Sequence, residues 1–377
     1  MPPALQGGPR PRPARGRPAD PRAVKSWLLF LGTYTRSGAS RGLYRLRLDA
    51  ATGALGPAEL AAASPDPGWL AWTPDGTRLL ATHPSPSQII VFQHGPAPGE
   101  LHPLGAFPAP GAAAGPSHLA VAPSGQLALA AHYHGGYLAA FPLHPDGTVG
   151  PAQRFPHAGR SVHPTRQDRP HPHSVLFSPD GRHALVADLG LDQILTYALT
   201  PAGDALRPEP VAVTATQPGA GPRHTGFSRD GRYLHVLNEL DSTVSTYAYR
   251  ASDGHLQPLG TVSALPAGCA TSNTAAEIRV HPAAPFVYTS NRGHDSLTVF
   301  EEDPATGALR WRQNLPSGGR TPRNFALSPD GRWLVCGHQD SPEVTVFAVD
   351  PRLGTLTPTA HAATVPCCVC VLFAPAA

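Results

Sequence analysis

His173, Arg223, Arg323, Glu239 and Arg292 stand at two fixed distances from a repeated turn, and their side chains suit anion capture and proton transfer. The turn reads Pro74-Asp75-Gly76, Pro123-Ser124-Gly125, Pro179-Asp180-Gly181, Arg229-Asp230-Gly231, a degenerate Pro282-Ala283-Ala284, and Pro329-Asp330-Gly331. Four residues ahead of the matching apolar positions Trp72, Val121, Phe177, Phe227, Val280 and Leu327 lie Gly68, Ser117, His173, Arg223, Ala276 and Arg323. Eight residues past the last turn residue lie Pro84, Tyr133, Leu189, Glu239, Arg292 and Gln339. Three arginines suit bidentate capture of carboxylate or phosphate. A histidine and a glutamate beside such cations can act as general acid and base near neutral pH. His171, His224, Asn291, Asp188 and Glu277 adjoin these positions in sequence and could support them. Any one of the arginines could equally cap an element or pair between neighbours; the convergence of several functional types in two registers is what points to a site.

The two registers meet only if the segments before and after each turn are antiparallel strands, which brings the start of one beside the end of the next. One unit shows the plan. Residues 224–228 form a short apolar strand, Arg229-Asp230-Gly231 turns the chain, and residues 233–238 form a second strand. After a loop at 240–242, residues 243–249 alternate Val244, Thr246 and Ala248 with Ser245, Tyr247 and Tyr249, as a third strand requires. A Gly-x-Leu turn at Gly254 leads to a fourth strand near 258–264.

That Gly-x-Leu turn, or a close variant, occurs seven times, around Gly53, Gly99, Gly147, Gly203, Gly254, Gly307 and Gly354. A repeat of roughly 40–50 residues with four short strands predicts an all-β, seven-bladed β-propeller. Only six Pro-Asp-Gly-type turns accompany the seven, the repeat around Gly42–Leu55 lacking one. The apolar run 365–373 has no turn after it, so it is predicted to supply the innermost strand of the blade whose next strands are 28–33 and 42–49, closing the ring through both chain ends.

Composition narrows the function. Charged residues are 15% of the 377, with 46 prolines and 38 glycines, as many strands joined by tight turns demand. The net charge of +3 comes from the N-terminal segment, where Arg10, Arg12, Arg15, Arg17, Arg22 and Lys25 face Asp20 alone. The ring is therefore slightly acidic, which argues against nucleic acid. Residues 1–26 read as a disordered basic tail and 27–377 as a single propeller domain. There is no secretory h-region and no stretch long enough to span a bilayer, so a cytoplasmic protein without a membrane partner is expected. The five cysteines read as small buried residues. His157, His163, His171 and His173 are too irregularly spaced for a zinc motif, and neither a Gly-x-Ser-x-Gly elbow nor a Gly-x-Gly-x-x-Gly loop is present.

The chain resembles the lactonase family of seven-bladed propellers from about residue 28 onward. The likeness lies in Leu31-Gly32-Thr33-Tyr34-Thr35, His171-Pro172-His173-Ser174, Asp188-Leu189-Gly190-Leu191-Asp192, Gly221-Pro222-Arg223-His224, Asn238-Glu239-Leu240, Ala276-Glu277-Ile278, Ser290-Asn291-Arg292-Gly293 and Pro322-Arg323-Asn324-Phe325. The resemblance implies that His173, Glu239, Arg223 and Arg292 are catalytic, with no metal or organic cofactor. Arg323, His171, His224, Asn291, Tyr133 and Gln339 are then expected to bind substrate. Thr82-His83-Pro84 and Ala131-His132-Tyr133 depart from the family pattern and alter that side of the mouth.

The expected activity is hydrolysis of an anionic sugar lactone, foremost 6-phosphogluconolactone in the pentose phosphate pathway, with His173 or Glu239 activating water. A lactonising cycloisomerase of a carboxylated muconate and a non-catalytic binding scaffold are the alternatives. A closed ring exposes no edge that demands a partner, so a monomer is expected.

Overall fold

The computed structural model describes residues 25–111 and 115–375. The expected basic tail lies outside the described residues except for Lys25 and Ser26. Seven four-stranded antiparallel sheets follow one another along the chain. Blades 2 to 7 span residues 70–108, 118–156, 172–215, 222–263, 274–316 and 322–364. Blade 1 is built from Ser26–Thr33, Gly42–Asp49 and Glu59–Ala63, and Cys368–Phe373 pairs with Ser26–Thr33 as its fourth strand. Leu29 faces Phe373 and Leu31 faces Val371, so the chain ends close the ring as predicted. Among the described residues no helix is long and apolar enough to cross a membrane.

Hydrophobic packing runs between blades. Trp333, Val335 and Val346 of blade 7 pack with Leu29, Leu46 and Leu48 of blade 1. Comparable clusters join blades 6 and 7 through Tyr288 and Phe325, and blades 5 and 6 through Leu237 and Phe300. The seam between blades 7 and 1, which the chain crosses between Thr364 and Cys368, is thus packed like the others, and the non-covalent closure is the strand pairing inside blade 1.

The Gly-x-Leu turns do more than reverse the chain. Each outer turn rests on the preceding blade and accepts a hydrogen bond from it. Tyr288 Oη donates to Gly354 O at 2.9 Å, Tyr233 Oη to Ala305 O at 2.7 Å, Thr196 Oγ1 to Gly254 O at 3.1 Å and Ser124 Oγ to Gly203 O at 2.7 Å. Arg78 donates to His144 O at 3.0 Å, Arg45 to Pro98 O at 3.4 Å and Trp333 Nε1 to Ala50 O at 3.1 Å. A Cβ on Gly354 would lie 2.3 Å from Phe286, and one on Gly307 would lie 2.6 Å from Tyr233, so glycine alone fits these seats.

The structure adjusts three expectations. In blade 5 the outer strand is His255–Ser263 and starts at the turn itself. In blades 1 and 3 the outer strand is interrupted: Leu48 and Leu143 make isolated bridges to Leu55 and Val149 before Glu59–Ala63 and Gln153–Pro156 pair. Pro57 and Pro151 lie in those gaps and cannot donate to a ladder. Cys336, Cys368 and Cys370 are buried as expected, whereas Cys269 and Cys367 are half-buried.

Candidate active site

The first register is a set of β-bulges. In blade 4 Pro172 pairs with Asp188 and Ser174 with Ala187, leaving His173 unpaired. Blade 5 leaves out Arg223 in the same way and blade 7 leaves out Arg323, while the strand pairing of blade 6 skips Ala276 and Glu277. Blade 1 leaves out Val369. A bulge inserts an extra residue and re-aims its side chain. Pro172, Pro222 and Pro322 immediately precede three of these residues and lack the N–H that a regular ladder would use. The bulged residues His173, Arg223, Arg323 and Val369 all line one cavity of about 320 Å³ at the axis mouth.

Glu239, from the second register, is the centre of that cavity's charge network. Arg223 Nε donates to its Oε2 at 2.7 Å and Arg292 Nη2 at 3.0 Å, while Arg166 Nη2 donates to Oε1. Burial favours the neutral acid, but Arg292, Arg223 and Arg166 outweigh it and hold the carboxyl well below the usual range. His173 Nε2 stands 3.7 Å from the same Oε2, a separation at which one water can contact both groups. Burial, reinforced by Arg223, drives the His173 imidazole well below 6.5, so it is neutral at pH 7. Its Nδ1 is buried without a hydrogen-bond partner among the described residues.

The arginines are held from behind. Arg223 is 2% exposed and donates to Ala276 O and, at 3.0 Å, to His224 Nε2. His224 Nδ1 is 3.2 Å from Glu277 Oε1, and Asn324 Nδ2 donates to Glu277 Oε2. Burial and the neighbouring Arg292 push the Arg223 guanidinium down to about 9, which leaves it charged at neutral pH. Arg292 donates to Ala275 O at 3.1 Å and Thr274 O at 3.4 Å. Arg323 differs: Gln339 Oε1 at 3.3 Å is its hydrogen-bond partner, and among the described residues it has no carboxylate partner.

Of the ten residues singled out in the sequence, His173, Glu239, Arg223, Arg292, Arg323, His224 and Tyr133 line the cavity. Three do not. His171 stacks flat on Tyr133 at 4.4 Å and bonds Tyr133 O at 2.8 Å, so it braces the wall from outside. Gln339 holds Arg323. Asn291 is fully buried and donates to Ala264 O, Ser296 Oγ and Thr298 Oγ1, which anchors the neighbouring loop. Asn238, Asp188 and His338 occupy the same strand-end position in other blades and make similar loop contacts. The position is architectural because the strand end must satisfy backbone groups where the ladder stops.

The structure also adds residues that sequence reasoning missed. Arg166 reaches the mouth from the long connection between blades 3 and 4, where it also donates to Tyr133 Oη at 3.3 Å. The histidines of that stretch serve separate ends: His157 Nδ1 bonds Asp188 at 2.6 Å, and His163 Nδ1 accepts from Thr165 N and Arg166 N. Tyr34 and Val369 line the cavity at the two register positions of blade 1, which is split between the chain ends and has no turn on which to align it.

Comparison with known proteins agrees with this architecture. The family description "Lactonase, 7-bladed beta-propeller" matches residues 28–373. The chain is 32% identical over 357 residues to the 6-phosphogluconolactonase of Bacillus subtilis (strain 168), covering 93% of this chain and 99% of that protein. It is 31% identical over 264 residues to that of Pectobacterium carotovorum, covering 70% and 75%. The solved structure of a periplasmic gluconolactonase of Pseudomonas aeruginosa superposes with a TM-score of 0.85 at 30% identity, covering 93% of this chain and 99% of that one. A family match that spans the whole ring, together with relatives aligned along nearly their full length, makes this chain a member of the lactonase family of seven-bladed β-propellers.

Proposed function

We propose that the protein hydrolyses a small sugar lactone, and that its substrate is 6-phosphogluconolactone, opened to 6-phosphogluconate in the cytoplasm. Family membership supports lactone hydrolysis, and the names of its relatives support the phosphorylated substrate. One observation carries the reading: a neutral imidazole beside a carboxylate clamped by three guanidiniums, in a cavity lined by more cationic than anionic groups.

Glu239 is committed to three guanidiniums, which leaves the neutral His173 beside it as the base. It takes a proton from water as the water oxygen bonds the lactone carbonyl carbon. Negative charge gathers on the carbonyl oxygen, where Arg292 and Arg223 stabilise it without reorganising, because the backbone of blade 6 and Glu239 fix both. The ring C–O bond then breaks and the imidazolium returns its proton to the departing oxygen, giving the open hydroxy acid. Glu239 stabilises the transient imidazolium.

Loss of freshly prepared lactone, followed against spontaneous hydrolysis, tests the reading. Arg292→Ala and Arg223→Ala are each expected to lower kcat by about 100-fold or more, the scale of removing an oxyanion donor. Absence of acceleration by the unaltered protein would remove the lactonase reading. Activity abolished by a chelator would replace this mechanism with a metal-dependent one.

A further inference from the structure

The arginines at the mouth divide by what already satisfies them. Arg223, Arg292 and Arg166 all share Glu239. Arg323 does not, and its guanidinium carbon lies 5.5 Å from the centre of the Tyr34 ring. Arg36 lies 4.7 Å from the same ring. Two cations therefore border one aromatic ring in the cavity wall. Asp66 answers only part of that charge: Oδ2 receives Arg36 Nε at 2.8 Å, and Oδ1 is bonded by Thr35 N at 2.6 Å. Tyr34, Arg36, Asp66 and Arg323 all line the cavity that holds His173 and Glu239. They belong to blades 7 and 1 and the connection from blade 1 to blade 2, whereas Glu239 and Arg292 belong to blades 5 and 6.

We propose that Arg323 and Arg36, with Tyr34 between them, form a subsite for the phosphomonoester group of the substrate, on the wall of the mouth formed by blades 7 and 1. The inference rests on the lactonase reading and assigns it a division of labour. The arginines on Glu239 serve the reaction, and Arg323 and Arg36 select for a dianionic tail. Planar guanidiniums are suited to paired contacts with phosphate oxygens. A site built to bond a charged group discriminates strongly against an analogue lacking it.

The test compares 6-phosphoglucono-δ-lactone with glucono-δ-lactone on the unaltered protein and on Arg323→Gln and Arg36→Gln. Inorganic phosphate binding is measured in parallel by calorimetry, and melting curves confirm that each variant is folded. The ratio of kcat/KM for the two lactones is expected to fall by about 100-fold in Arg323→Gln, mostly through KM. Phosphate affinity should fall with it, and Arg36→Gln should change both in the same direction. A parallel loss on both lactones would place Arg323 at the reacting end and overturn the subsite. So would phosphate affinity that is unchanged by either variant, or a preference for a carboxylated over a phosphorylated lactone. If neither lactone is opened but Arg323→Gln still abolishes phosphate binding, the subsite stands and the lactonase reading falls.

Discussion

Glu239 and His173 sit side by side, yet their surroundings push them toward opposite roles. Three guanidiniums keep the carboxylate ionised, and burial keeps the imidazole neutral. The sign of the pH dependence follows. A base whose folded-state pKa lies well below 6.5 is largely deprotonated at 6.5, so kcat/KM is expected to stay level from pH 8 down to 6.5 and to fall only below that. An acid limb with its midpoint above 6.5 would remove His173 as the base. His173→Gln should lower kcat by about 10²–10⁴-fold, the usual contribution of a general base, and abolish that limb. Behind them, Glu277 and His224 steady Arg223 from the side away from Glu239. Burial raises the Glu277 carboxyl, against the opposing pull of Arg279 and Arg223.

Proline-led bulges and glycine-seated turns are the two local devices that make one generic blade into a carrier of a site. Both are written in the sequence to different degrees. The strands and turns were legible because period-two alternation and Pro-Asp-Gly report on local geometry. The two registers were legible because their residues break an otherwise repeated pattern. The bulges carried a readable signal, the proline before His173, Arg223 and Arg323, which goes with the missing ladder donor. Arg166 had none, because a loop between blades has no register, and its partner Glu239 lies 73 residues further along the chain. Asn291 looked functional beside Arg292, but adjacent strand residues face opposite ways. The turn glycines give a test at this scale. Gly354→Ala forces a Cβ against Phe286 at a φ of +68°, and is expected to cost about 2–4 kcal/mol from overpacking and strain. Gly268→Ala has a φ of +77° with nothing within 4 Å, and should cost about 1 kcal/mol. Equal shifts in denaturation midpoint would show that the turns do not clasp the ring.

At the scale of the molecule, the site draws on blades 1 to 7, so its geometry is only as exact as the closure of the ring. The ring closes where Cys368–Phe373 pairs with Ser26–Thr33 inside blade 1, and the seam between blades 7 and 1 uses the same apolar packing as the others. Its outer-turn bond, from Trp333 to Ala50, also runs in the same sense as the remaining six. Every blade gives to the next and receives from the one before, which is the logic of a head-to-tail assembly whose rotation happens to close. Such a circle has a direction but no privileged beginning. The place where the polypeptide starts is then a matter of covalent bookkeeping rather than of folding. A circular permutant can test this, with residues 26 and 375 joined by a short linker and the chain opened between Ala267 and Gly268, both exposed. It is expected to melt within a few degrees of the parent and to keep its lactone turnover. A permutant that fails to fold would mean that blade 1, spliced from the two chain ends, holds the ring shut in a way the other six cannot.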